Sequence, residues 1–427
     1  MRIMGFYESL RHAVSLVAGG AIVAACGVAY AGESIAVTNA RIYTVTGAVI
    51  DPGVLVCENG KISALGPVGR VRIPPGARLI DGSGKAVMPG LIETHSHMGM
   101  KRLWVPADLD NNETSGPINA RLRALESIDT RDRAFRLALA AGVTTMVVSP
   151  GAQTPIGGQA VVLKLRGGTA DDMYLAPGGM KFAMSSTFFP DGGGGAHPSS
   201  LMGVASILRE NLLAARAYRE RWEAHVAAGR QEPAPSRDPQ LEALGKVLTR
   251  EWVVGVHAQW PAQIVNVLRL AREFDLDLYI VHGTTLVDLV DEVARAGVAV
   301  SFGPVLPFQS REARMLDGPA QLVRRGGRVA FQQDHPDGPQ LYLRHVAALC
   351  VRHGLPEAEA LKALTINGAA LFRLEKRLGS LEAGKDADFL ILSGAPLEID
   401  SHVEQVFVEG HEVYNRAANR SVFDVRR

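Results

Sequence analysis

Three cysteines in 427 residues are too few for a disulfide framework. An excess of one charge sign is also lacking. The 45 Lys and Arg stand against 44 Asp and Glu, a net charge of +1, so there is no basic surplus with which to hold nucleic acid. Internal repeats are absent, and low complexity is confined to Gly192–Gly195. Long apolar runs are missing except near the start, where Ala13 to Tyr30 follows Arg2 and Arg11 and ends in Ala29-Tyr30-Ala31. A basic start, an apolar run and an A-x-A site read as a signal peptide over residues 1–31. The mature chain then begins at Gly32, is exported, with the periplasm as its compartment, and keeps no stable membrane span. Two alternatives stay open: an uncleaved anchor, and a lipoprotein lipidated at Cys26 in Val23-Ala24-Ala25-Cys26. What is present is globular in kind, 47% hydrophobic and 21% charged, and long enough for one large barrel with a small accessory domain.

Both ends of the chain have β texture. Val54–Glu58 and Lys61–Leu65 flank Asn59-Gly60, a strong hairpin signal because a type I′ turn needs positive φ at both central residues. Near the C-terminus Asp388–Leu392, Val406–Val408 and Val413-Tyr414 are strand-like, the last two around Glu409-Gly410. These segments predict one small β-sandwich domain built from residues 32–88 and 376–427. Between them, over residues 89–375, strands alternate with helices such as 261–275, whose Ile264, Val267, Leu268 and Ala271 share a face. Strands at 87–94, 144–148, 161–165, 180–184, 252–256, 278–281, 298–302 and 329–331 make eight. The fold class is thus α/β, a (β/α)8 TIM barrel. The segment 161–165 also reads as a hairpin within a loop, and 205–250 as a helical insertion around the polar linker Gly229 to Asp238.

Four of the 12 histidines follow apolar strands. His95 and His97, two apart at a strand end, point to one side. His257 and His282 close two later strands, and Asp334 follows the last. Barrel enzymes keep their catalytic groups at these C-terminal strand ends. Neutral imidazole and carboxylate suit zinc and similar divalent ions, which acidify a bound water. Taken singly, a strand-end histidine is more often a hydrogen-bonded structural residue; the ordered set of five groups is what points to a metal.

Pro89-Gly90-Leu91-Ile92-Glu93-Thr94-His95-Ser96-His97 resembles the signature of the amidohydrolase superfamily. His257, His282 and Asp334 match that family's ligands on barrel strands 5, 6 and 8. Thr365-Ile366-Asn367-Gly368-Ala369-Ala370 and Gly379 to Asp388 resemble its return into the sheet domain. The resemblance spans residues 34–415 and is nearest the imidazolonepropionase-like branch. It implies one or two divalent ions, zinc foremost, and hydrolysis of an amide or cyclic amide. Many members carry a carboxylated lysine on strand 4, and Lys181 is the candidate here; the alternatives are a lysine that reaches solvent, or a one-metal site. Ser185-Ser186 stands where the branch often has Gly-Glu-Asn.

Asp334 is then the group expected to move the proton. His335 either faces substrate or shields the ligand, Glu93 supports the strand, and Gly192–Gly195 reads as a flexible loop rather than a phosphate cradle. The expected partner is a small molecule such as a dipeptide, an N-acyl amino acid or a cyclic amide, with homo-oligomerisation left open. Rival readings are a deaminase or an ester or lactone hydrolase on the same site, and a catalytically silent binding protein.

Overall fold

Fifteen of the sixteen strands described below belong to the two paths of two eight-stranded sheets; the sixteenth branches off the first. The computed structural model describes residues 34–101, 110–185, 198–230, 233–305 and 313–419. Residues 1–31 with Cys26, the segment Gly192–Gly195, and Ser186 and His197 lie outside them.

The first sheet holds β1 (Ile35–Ile42), β2 (Ile50–Glu58), β3 (Lys61–Pro67), β4 (Arg78–Asp81) and β5 (Ala86–Pro89). The barrel sheet follows with β6 (Leu91–Ser96), β7 (Val143–Val148), β8 (Ile156–Lys164), β9 (Tyr174–Ala183), β10 (Val254–Ala258), β11 (Leu278–His282), β12 (Ala299–Phe302) and β13 (Val329–Phe331). The chain then returns to the first sheet through β14 (Phe389–Leu392), β15 (Val403–Val408) and β16 (His411–Asn415).

Turn chemistry explains the two hairpins of the composite sheet. Glu58 pairs with Lys61 around Asn59 (φ 51°) and Gly60 (φ 75°), and Val408 pairs with His411 around Glu409 (φ 48°) and Gly410 (φ 73°). Both central residues are left-handed in each turn, as type I′ requires. The strand order is β16-β15-β14-β5-β1-β2-β3, with β4 added beside β1. Ile35, Val37, Ile42, Leu55, Phe389 and Phe407 form its core, the last two rings stacked at 4.4 Å.

The barrel runs in the order β6 to β13. It is closed by side-chain and backbone bonds between its first and last strands: Thr94 Oγ1 donates to the Phe331 carbonyl at 2.8 Å, Asp334 N–H to His95 O at 3.2 Å, and His97 N–H to His335 O at 3.0 Å. Two expectations need correction. The stretch 87–94 is not one strand: β5 pairs with β14 in the composite sheet, and the chain crosses to the barrel at Gly90. A Cβ at Gly90 would run into the Thr144 side chain, so only glycine permits that crossing. The strand near 161–165 is longer, and it runs antiparallel to both β7 and β9. It is a hairpin arm built into the barrel wall, because no crossover helix lies between β7 and β8 to reverse the chain.

Helix Pro261–Phe274 buries Ile264, Val267 and Leu268, as its periodicity predicts, and helix Val290–Ala296 ends on Gly297 at φ 67°. The insertion consists of helices Leu201–Ala227 and Pro239–Leu248, capped by Ser200 and Asp238. Inside the barrel Val147, Val162, Tyr279, Val281 and Ala330 form a plug with Leu371 and Phe372. Buried Lys164 joins Asp386, Asp388 and Glu409, tying the barrel wall to the composite sheet.

Candidate metal centre

Five barrel strands, or the loops directly after them, deliver the six candidate side chains. His95 lies in β6 and His97 just beyond it, Lys181 in β9, His257 in β10, and His282 closes β11. Asp334 stands three residues past β13. Parallel pairing sets their heights: Lys181 is level with Gly255, and His257 with Val281. All six side chains come together, and all six residues are buried. Two of them hold left-handed backbone, His282 at φ 78° and Asp334 at φ 53°. Such conformations cost energy in non-glycine residues and persist where the surroundings demand them.

Asp334 Oδ1 lies 3.3 Å from Nε2 of His95 and 3.3 Å from Nε2 of His97. His282 Nδ1 is 4.0 Å from Asp334 Oδ2. One ligating atom each from His95, His282 and Asp334 lies within 4.8 Å of the others. The His257 and His282 rings sit 4.4 Å apart, and Lys181 Nζ is 3.1 Å from His95 Nε2.

Second partners orient the rings. His97 Nδ1 donates to Ser149 O at 2.6 Å, which leaves the Nε2 lone pair facing Asp334. His282 Nδ1 is 3.0 Å from Gly303 O, with Gln332 Nε2 at 3.1 Å on the same nitrogen. Glu93 accepts from the backbone N–H of His95 at 3.3 Å and of Gln333 at 3.0 Å, joining the first and last barrel strands beneath the ligands.

Burial drives the electrostatics. It holds His97 down at about 4, His282 at about 3, and His95 and His257 well below the usual imidazole range. The rings are therefore neutral, the form that binds metal. Burial also lowers Lys181 to about 7 and raises Asp334, against the pull of His97. Glu93 is pushed up to about 8. A divalent ion fits this donor set. Asp334 Oδ1 and His95 Nδ1 have no hydrogen-bond partner among the described residues, and a carboxylate oxygen faces imidazole lone pairs that a cation would reconcile.

His335 is buried beside the ligands, and burial lowers its imidazole to about 4. Its carbonyl ties the last loop to His97. Sequence reasoning did not single out Gln332, Ser149, Gly303, Lys101 or Asp337. The Gln332-Gln333 pair closing an apolar strand was the one visible signal; carbonyl contacts from Ser149 and Gly303 leave none in side-chain identity.

Comparison with known proteins agrees with this geometry. The sequence model described as Amidohydrolase family matches residues 233–414. A solved amidohydrolase from Thermotoga maritima is 31% identical, with a TM-score of 0.82 over 90% of this chain and 100% of that one. Imidazolonepropionase from Symbiobacterium thermophilum is 28% identical over 81% of this chain and 85% of its own. Amidohydrolase tasK of Hapsidospora irregularis is 24% identical over 79% of this chain, which spans 37% of that longer protein. With the histidine and aspartate cluster at the strand ends of its barrel, the chain belongs to the amidohydrolase superfamily, as an imidazolonepropionase-like member that hydrolyses C–N bonds at a divalent metal site.

Proposed function

We propose that this protein is an exported zinc amidohydrolase that cleaves the amide of a small substrate such as a dipeptide, an N-acyl amino acid or a cyclic amide. The observation that carries this reading is Asp334 Oδ1 set 3.3 Å from two imidazole nitrogens at the C-terminal strand ends. His95, His97, His257, His282 and Asp334 would hold the ion, with Lys181 as a carbamate bridge to a second one. When bound, the ion polarises the substrate carbonyl and makes a water more acidic.

The protein's own groups do the rest. His97 and His282, oriented by the carbonyls of Ser149 and Gly303, keep a fixed donor frame. Asp334 takes a proton from the attacking water at a carboxylate oxygen and delivers it to the leaving nitrogen, which departs as a neutral amine. Lys181, lowered to about 7, is partly the free amine at neutral pH, and only the free amine condenses with CO2. The carbamate would replace a buried ammonium with an anionic oxygen ligand, offsetting the cost of burying that charge. Export rests on Arg2, Arg11 and the Ala29-Tyr30-Ala31 site. Among the described residues no helix is long and apolar enough to cross a membrane.

Protein purified from its native host should start at Gly32 and contain one or two equivalents of zinc. It should release amine and acid from part of a panel of dipeptides, N-acyl amino acids and cyclic amides, and lose this activity on chelation. Ammonia from ring amidines, or acid from esters and lactones alone, would replace the amide assignment with a rival chemistry. A metal-free protein inert on every substrate would overturn the enzyme reading.

A further inference from the structure

One turn above the ligands a charge pair spans the first and last barrel loops. Lys101 N–H bonds back to the His97 carbonyl at 3.1 Å, and Asp337 N–H to the Asp334 carbonyl at 2.8 Å. These bonds fix two residues of opposite charge directly beyond two of the candidate ligands. Their side chains meet at 3.1 Å, Lys101 Nζ to Asp337 Oδ1, with Lys101 25% and Asp337 53% exposed. Both charges reach the centre: Lys101 acts on His97, Asp334 and His335, and Asp337 on His282, Asp334 and His335. The cation is the more sheltered partner, and the carboxylate covering it faces solvent. An exposed ion pair contributes little to stability, so exchanging one carboxylate for another costs little.

We propose that Lys101 is the anchoring cation for a carboxylate on the substrate, and that Asp337 holds that carboxylate's place in the free protein. This rests on the amidohydrolase reading above and narrows it. A carboxylate one turn from the ligand cluster lies near the scissile amide, as it does on the amino-acid half of an N-acyl amino acid or dipeptide, where one carbon separates it from the amide nitrogen. Uncharged amides would leave the Lys101–Asp337 pair closed and gain nothing from it. Lys101 is a specificity residue here, and the bond-breaking groups are those of the centre below.

The test is binding of a panel of N-acetyl-L-amino acids and their primary amides to the metal-loaded protein, read by calorimetry so that no turnover is required. In the unaltered protein at least one acid should bind tenfold or more above its amide, about the lower range for a hydrogen bond to a charged group. Lys101→Met should bring that acid down to the level of its amide and leave amide binding and metal content unchanged. Asp337→Asn should act in the opposite direction, tightening the acid by removing its competitor and leaving the amide alone. A pair that merely clasps two loops would weaken every ligand in both variants, and that result overturns the proposal. So does an acid preference that survives Lys101→Met, or a panel in which no acid outbinds its amide. Charge-selective binding without hydrolysis would sink the hydrolase reading and spare this one; hydrolysis indifferent to charge would do the reverse.

Discussion

Nε2 of His97 faces Oδ1 of Asp334 at 3.3 Å, and the neutral ring has no proton to place between them. Its one N–H is committed to the Ser149 carbonyl. Two acceptors directed at each other in a buried site make a cation the natural third party, so the geometry states a charge requirement as well as a position.

That requirement gives the metal-free protein a definite pH response. The five imidazoles of His95, His97, His257, His282 and His335 are all held below their ordinary 6.5, with His97 and His335 at about 4. Between those values the unfolded chain binds more protons, so stability rises with pH across that interval and falls on acidification. Glu93 opposes this. It is raised from 4.5 to about 8, so between those values the folded state binds the extra proton. Asp334, also raised by burial, acts in the same direction as Glu93. Five groups against two leave acid destabilisation dominant. The melting temperature of chelated protein should fall from about pH 6.5 toward about pH 4, and Glu93→Gln should steepen the fall. A melting temperature that is flat or rises on acidification would mean that the lowered imidazoles do not outweigh Glu93 and Asp334.

The centre was largely legible in the sequence because its groups close apolar strands, and a strand end is a position that a pattern of side chains reveals. The eight-strand count was legible for the same reason. The direction of β8 was not, since alternation reads a strand without its sense, and an antiparallel arm has the same composition as a parallel one. The break at Gly90 was hidden because Val87 to Thr94 is continuously β-like; it is created by the approach of Thr144, more than fifty residues away. The orienting carbonyls of Ser149 and Gly303 were invisible, because any residue supplies a carbonyl.

Gly90 therefore carries a stability prediction. Gly90→Ala places a methyl group against the buried Thr144 side chain and should destabilise the fold by about 1–3 kcal/mol, the usual range for overpacking. Thr144→Ala opens space at the same point. The double variant should recover part of the loss, giving a non-additive cycle in denaturant unfolding. Strict additivity would show that Thr144 is not the group that excludes a side chain at Gly90.

Lys181→Ala tests the bridge. The lysine is fully buried, and its Nζ is 3.1 Å from His95 Nε2. If it bridges as a carbamate, the variant should drop from two metal equivalents to one and lose most of its turnover. Added acetate or propionate should restore part of that by supplying the missing carboxylate oxygen. Metal analysis together with the rate checks this. Unchanged metal content and rate would remove Lys181 from the ligand set and leave a one-metal site.

Asp334→Asn separates holding the ion from moving the proton. The substitution keeps nearly the same shape and one carbonyl oxygen, and removes the basic oxygen. Burial alone raises the Asp334 carboxyl, but a divalent ion beside it favours the charged form and reverses that direction. In the loaded protein the group is then ionised at neutral pH and able to accept the proton of the attacking water. The variant should fold normally, keep part of its metal, and lose kcat by about 100-fold or more, the lower end for removing general acid–base help. The acidic limb of the pH–rate profile should shift or vanish with it, because the group that must be deprotonated is gone. Rates are to be compared per bound metal, which keeps weakened ion binding from imitating a lost proton carrier. Near-normal kcat in a fully metallated variant would end the shuttle assignment. His335 would then be the first group to test, being buried beside Asp334 and held neutral near pH 7 by a value lowered to about 4.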